Sequence, residues 1–516
     1  MRRYLLLTVF TVGMTTLAAE LAASRLIGNV FGTSNLVWAA IIGLILIYLA
    51  AGYSLGGRWA DRHPTHTEMY RLAAWGAFSL GTVPYAASFV LRRAATAFDS
   101  LQVSILAGSF LAVLVLFSVP ITLLGMISPF AIRLSVGNSA EAGSVAGRIF
   151  AISTAGSFIG TFLPVLVTIP TLGTRLTFLM FSLLLLAVAL IGLALSGGPR
   201  KAAPYALMPL VLIALATAFG RSSIKSSAGQ ILETESAYNY IEVQQAGEFT
   251  LLRLNEGQGV HSIYSARTLE YGGPWEQFLV APFFYEGRKP SEVRHMAIIG
   301  LAAGTAARQA AAAFEDVQID GYEVDGRIVE IGIKYFGLRL PNLSVQIGDG
   351  RLNLERAGQT YDLIAVDAYR PPYIPPHLTT QEFFQIAYDH LAQDGALAIN
   401  AAGIPDDRRL VDGLATTIST VFPSVYVADV PNSLNTMIFA TRQPTTASSL
   451  TRNLEDLSAT AGVHPVLLSA LRTASAYLRP GFEWTEVFTD DRAPIERIVN
   501  DMVIDFVLSG GLEYLE

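Results

Sequence analysis

The sequence predicts a multi-pass α-helical membrane domain followed by an α/β domain with a mostly parallel sheet. Three observations predict this. Up to about residue 220, apolar runs of roughly 17 to 25 residues recur, the length that crosses a bilayer core. Beyond about residue 295, short apolar strands alternate with helical stretches, as crossover-connected parallel strands require. Between the two, over about 227–283, apolar and polar residues alternate between glycine turns, the pattern of a small antiparallel β leader.

Composition sets the outer bounds. A chain of 516 residues is too long for one small domain. It is 52% hydrophobic and only 15% charged, averaged over two very different halves. There is no cysteine, so disulfides, thiolate metal sites and cysteine nucleophiles are excluded. The net charge of −7, with no basic cluster interleaved with aromatics in the C-terminal half, gives no support for nucleic-acid binding.

About seven spans are expected, near 4–25, 36–57, 70–91, 102–132, 149–169, 175–196 and 203–219. The first follows Met-Arg-Arg, lacks a small-residue cleavage site and leads at once into further spans, so it reads as an anchor. The fourth is too long for one straight span, and Pro120 and Pro129 predict a break or tilt in it. Glu20 is the one carboxylate within a span, either a functional acid or a partner for Arg25. "GGRWADRHP", Gly56 to Pro64, is similar to the Gly-x-x-x-Asp-Arg loop of major-facilitator transporters and equally reads as a positive-inside anchor.

Three domains follow: a membrane domain over 1–222, a β-hairpin domain over 227–283 and a Rossmann-type, methyltransferase-like domain over 290–516. In the last, "HMAIIG" (295–300) is the first strand and "GLAAG" the turn opening an alanine-rich helix. "VQIDGYEVD" (317–325), "LSVQIGDG" (343–350), "YDLIAVDA" (361–368) and "GALAINAAG" (395–403) are the next strands; "SVYVADV" and "NTMIFATR" follow. Ligands on such sheets bind at the carboxyl ends of the strands. Gly300 and Gly304 let the backbone turn beside a ligand at a helix start. Glu323 ends the second strand, where an acid takes two ribose hydroxyls, and Asp325 follows it. Asp349, before Gly350, is placed to accept from an exocyclic amine or to cap the next helix. Together these strand ends point to a nucleoside ligand. Asp367 ends the fourth strand before a proline-rich loop, as a catalytic base or a plain strand end. No His, Asp or Glu cluster has metal-ligand spacing, so no metal is expected.

The motifs "YNYIEV", "LRLNEGQ", "IGLAAG", "YEVDGRIVEIGIKYF", "VQIGDGRLNL", "YDLIAVDAY" and "HLTTQEFF" occur in the order of the aminopropyltransferases. Over about 235–385 the chain therefore resembles the spermidine synthase family, and its apolar N-terminal half resembles the membrane-integrated branch. The resemblance implies an alkyl transfer from S-adenosylmethionine or its decarboxylated form. A nucleophile attacks the carbon beside the sulfonium and 5'-methylthioadenosine leaves. It implies that Glu323 holds the ribose, Asp349 and Gly350 the adenine, and Gly300 and Gly304 the sulfonium side chain, with Asp325 also at the cofactor. Asp367, with Tyr369, would serve the attacking amine, and Gln258, Arg370, His377, Asp491 and Glu496 the acceptor.

Two departures bear on the substrate. The aspartate expected in the glycine loop is replaced at Ala303 or its neighbour, and the second acid of the family's Asp-x-x-Asp loop falls on Arg370. Such a pocket suits a carboxylate better than a dicationic polyamine. The acids of "FTDDRAPIE" have two readings, a helix cap before Pro494 or direct membership of the site. His377 either caps the helix that follows or faces the substrate. Other functions on the same pattern are a methyltransferase, cyclase or lyase, and a transporter or sensor with a nucleoside-binding domain.

The expected partners are the lipid bilayer, a small-molecule amine or similar acceptor, and a second copy in a homodimer, with no nucleic acid. The loop arginines place the N-terminus inside, and seven spans would then put the C-terminal domain outside. A substrate made in the cytosol argues the reverse. The expected location is a multi-pass protein of the inner cell membrane with a cytoplasmic soluble domain.

Overall fold

The computed structural model describes residues 1–31, 35–101, 105–219, 227–255, 259–369, 374–402, 407–484 and 486–508. It divides into two units, Met1–Ala228 with Glu233–Tyr240, and Gly229–Leu232 with Ile241–Glu516.

The first unit is helical. Its helices include α1 (Arg2–Phe31), α2 (Asn35–Arg62), α3 (His66–Leu101), α4 (Ile105–Gly125), α5 (Ile127–Ser135) and α6 (Ala142–Leu163). Beyond them run Thr174–Gly197 and Leu207–Phe219. Among the described residues six helices are long and apolar enough to cross a membrane. The span expected near 70–91 falls on α3, part of which lies outside the residues whose side chains are described. The expected break in the fourth span is found at Met126, between α4 and α5. Pro120 sits inside α4, whereas Pro129 has no N–H to give the Gly125 carbonyl, and α4 ends there with Pro129 in the first turn of α5. Close helix contact depends on small residues. A Cβ at Gly156 or Gly160 of α6 would lie 2.0 and 2.1 Å from the α1 carbonyls of Phe10 and Met14. Arg25 of α1 donates to the carbonyls of Ser236 and Tyr238, and Asn29 donates to Glu235 at 2.8 Å.

The described strands form two sheets. The smaller has the order β1 (Gln230–Glu235), β2 (Tyr240–Ala246), β3 (Phe249–Leu254), β4 (Val260–Tyr264), with β2–β3 and β3–β4 antiparallel. Residues 274–284 are helical turns and not hairpin, and Trp275 to Phe284 are buried in the core of the second unit.

The larger sheet contains β5 (His295–Ile299), β6 (Gln318–Glu323), β7 (Leu343–Ile347), β8 (Tyr361–Val366), β9 (Leu391–Ala402), β10 (Ser424–Asp429), β11 (Asn435–Thr441) and β12 (Leu478–Arg479). Its order is β12-β10-β11-β9-β8-β5-β6-β7. Strands β5 to β9 pair in parallel, whereas β11 runs antiparallel to β9 and β10 antiparallel to β11, so the sheet is mixed. The parallel strands read as near-continuous apolar runs because helices cover both faces. After β5 the chain builds outward through β6 and β7, then returns to place β8 on the other side of β5. That reversal opens the crevice beyond the carboxyl ends of β5 and β8.

Candidate active site

Gly300 follows β5 at this crevice with φ +85°, and a Cβ there would lie 2.7 Å from the backbone of Asp367 and Ala368. Only glycine allows that approach. The amides of Gly300 and Leu301 both donate to the Tyr322 carbonyl, at 2.9 and 3.0 Å. Glu323, at the end of β6, accepts from the amides of Ala302 (2.9 Å) and Asp325 (3.0 Å), one on each carboxyl oxygen. Burial pushes its carboxyl up to about 7, against the opposing pull of those amides. Gly304 has φ +87°, and a Cβ there would meet Leu338 at 2.1 Å. The loop is thus fixed from below by β6 and shaped by two glycines.

It is also clasped by β4. Ser262 Oγ accepts from the Ala303 amide at 2.9 Å, and Thr305 Oγ1 both donates to the Ile263 carbonyl and accepts from the Ile263 amide. Neither Ser262 nor Thr305 was expected as a loop holder; only their place, one strand before the glycine turn and just after it, hinted at it. Ala303 itself is buried in a small apolar cluster with Ile241, Val243 and Ile328.

Asp325 is buried and caps the helix Gly326–Tyr335 by accepting from the Arg327 amide at 3.0 Å. Asp349 caps the helix Gly350–Glu355, with Oδ1 taking the Leu352 amide at 2.9 Å. Its Oδ2 pairs with His377 Nε2 at 2.9 Å. His377 therefore neither caps the helix Gln381–Asp389, a role taken by Thr380, nor stands apart from the nucleoside side of the crevice. Three exposed apolar side chains that the sequence did not single out lie beside these acids: Val324 (40% exposed), Ile347 (55%) and Leu352 (41%). Ile347 is the cross-strand partner of Glu323, and Leu352 is the residue that Asp349 caps.

Across the switch point, the Asp367 amide donates to Ile299 O at 2.8 Å, which anchors this acid to β5. Asn400, near the end of β9, donates from Nδ2 to Asp367 Oδ1 at 2.9 Å. Asn400 is buried, and its own Oδ1 has no hydrogen-bond partner among the described residues. Burial pushes the Asp367 carboxyl up to about 7, with the Asn400 bond opposing. The sequence signal for Asn400 is a polar group closing the apolar run "LAI" as Asp367 closes "IAV"; the pairing of Val366 with Ile399 sets the two level. Tyr369 is half-buried and packs against the apolar cluster that includes Ile364 and Phe383.

The late acids divide. Asp490 and Asp491 form the tip of a tight turn closed by Thr489 and Arg492, not a helix cap. Asp490 is held by both Nη groups of Arg351 at 2.7 Å and by Thr380 Oγ1 at 2.8 Å. Arg351 accordingly keeps the Asp490 carboxyl below the usual range. Asp491 is exposed, and Glu496 is half-buried in the first turn of the helix Ile495–Leu508. Gln258 and Arg370 lie outside the described residues.

The glycine loop, Glu323 and Asp367 thus meet at the switch point of the parallel strands of the mixed sheet. Residues 286–452 match the profile of the spermine/spermidine synthase domain, and the C-terminal part of the chain carries that domain. A probable polyamine aminopropyl transferase of Bifidobacterium longum is 32% identical over 211 residues, covering 40% of this chain and 46% of that protein. The chain thus spans just under half the length of that relative. A polyamine aminopropyltransferase of Vibrio vulnificus is 29% identical over 241 residues, covering 44% of this chain and 75% of that protein. The crystal structure of a probable spermidine synthase from Corynebacterium glutamicum shares 18% identity, with a TM-score of 0.39 over 51% of this chain and 100% of that one.

Proposed function

We propose that the C-terminal domain transfers the aminopropyl or 3-amino-3-carboxypropyl group of a sulfonium nucleoside to an amine, which loses a proton as the carbon–sulfur bond breaks and 5'-methylthioadenosine leaves. The observation that carries this reading is Asp367. It stands at the switch point against Gly300, opposite the nucleoside elements, with its carboxyl pushed up to about 7. A base of that strength accepts a proton from an ammonium nucleophile near neutral pH more readily than an ordinary aspartate does. Asn400 orients it and offers the unused Oδ1 to a second N–H of the incoming amine. Glu323 holds the ribose, while Asp349 with His377 faces the base between Val324, Ile347 and Leu352. The names of the two aminopropyltransferase relatives support the same reaction class. Arg370, in place of a second acid, favours a donor or acceptor that carries a carboxylate, such as S-adenosylmethionine itself.

The six apolar helices support a second part of the proposal: the protein sits in the cell membrane with this domain on the cytoplasmic side, where the donor is made.

The test uses detergent-purified full-length protein with S-adenosylmethionine or its decarboxylated form, with and without putrescine, and resolves the thioadenosine products. Release of 5'-methylthioadenosine that depends on an amine is the expected result. Binding of neither donor would sink the reading. Asp367→Asn keeps the Asn400 contact, so turnover should fall by about 10²-fold or more while donor binding persists.

A further inference from the structure

We propose that a cavity in the first unit, between α2, α5 and α6, holds one acyl chain of an anionic phospholipid, with the lipid phosphate on Arg133. The inference rests on the reading that this unit lies in a bilayer.

The cavity measures about 390 Å³, within the range of small-molecule sites. Tyr53, Gly57 and Asp61 of α2, Ile132 and Arg133 of α5 and Phe150 of α6 are among its walls. Apart from the Tyr53 hydroxyl, Ser128 and one ion pair, the lining is apolar. Tyr53 and Phe150 are 45% and 52% exposed, so the cavity opens along an apolar outer surface. That combination suits an apolar chain with a polar head.

Charge selects the head. Arg133 Nε meets Asp61 Oδ1 at 3.2 Å, which leaves both of its terminal amino groups without a hydrogen bond among the described residues. Arg58 and Arg62, each one residue beyond a lining position of α2, are exposed, and Asp61 is the single lining acid. The mouth is therefore cationic on balance, and an arginine with its fork unused is the natural partner of a phosphate.

The two glycines of "GGRWADR" then have separate tasks. A Cβ at Gly56 would lie 2.6 Å from the Met126 backbone, so that glycine permits helix contact. A Cβ at Gly57 meets nothing within 4 Å, so that glycine leaves the cavity open. Gly57→Leu consequently fills the space without disturbing the fold.

Native mass spectrometry of delipidated full-length protein, given phosphatidylglycerol or phosphatidylcholine, tests the proposal. One phosphatidylglycerol should be retained in preference. Arg133→Gln and Gly57→Leu should each weaken retention roughly tenfold, and Arg133→Lys less. Equal retention of the two lipids overturns the proposal, as does unchanged retention by a Gly57→Leu protein that melts like wild type. Glycerophosphate binding as tightly as the lipid would overturn the acyl-chain role. Release of wild-type protein from membranes by alkaline carbonate would instead remove the bilayer reading beneath it.

Discussion

Asp367 and Glu323 are both buried enough to hold their carboxyls near 7, and each has hydrogen-bond donors that only partly offset the cost of burial. A raised carboxyl is protonated in the folded chain and ionised in the unfolded one between about pH 4 and 7. Stability therefore falls as pH rises through that window and levels off above it. Asp367→Asn should accordingly stabilise the protein by ~1–2 kcal/mol at pH 8, allowing for solvent access, with the gap closing near pH 4. Thermal melts across that range check it; a gap independent of pH would show that the buried charge is not its source. Catalysis runs the other way, because the proton acceptor must be ionised. The rate under kcat/KM conditions should climb through about pH 7, and a flat profile would remove Asp367 as the base. The acids themselves were readable in the sequence because strand ends are marked by a polar residue closing an apolar run. The partners of Asn400 and Ser262 and the Asp349–His377 pair were not. Each depends on which strand or loop lies alongside, and residue order carries no such information.

At the scale of elements, the glycine loop is rigid by construction: β6 binds it from one side, β4 from another, and Gly300 presses it onto the turn after β8. Gly300→Ala should cost at least ~2 kcal/mol and displace Asp367, so that donor affinity and turnover fall together. Calorimetry and product assays on the same sample would show it, and a variant that melts and turns over like wild type would refute the close approach. The parallel strands β5 to β9 were legible as uninterrupted apolar runs alternating with helical periods. The antiparallel return of β10 and β11 was not, because strand direction is decided by the connection and not by the strand's own residues. In the N-terminal unit, hydropathy marked most of the long helices. The sequence also foresaw the interruption of the fourth span, because Pro129 has no N–H to give the Gly125 carbonyl at which α4 ends.

For the whole molecule, two physical regimes share one chain: an apolar helical unit and a mixed-sheet unit with its own cores. Six apolar helices predict that alkaline carbonate leaves the protein in the membrane fraction and that detergent releases it. Recovery in the carbonate supernatant would count against membrane insertion. The two units also alternate along the sequence. The chain leaves the first unit at Ala228, gives Gly229–Leu232 to the second, returns Glu233–Tyr240 to the first, and only then commits to the second. No single cut separates them cleanly. A truncation at residue 229 carries eight orphaned residues of the helical unit, and one at 241 removes the opening strand of the β leader. Recombination that trades either half for a foreign one must therefore splice at three points, which makes the pairing of these halves hard to undo by evolution or by engineering.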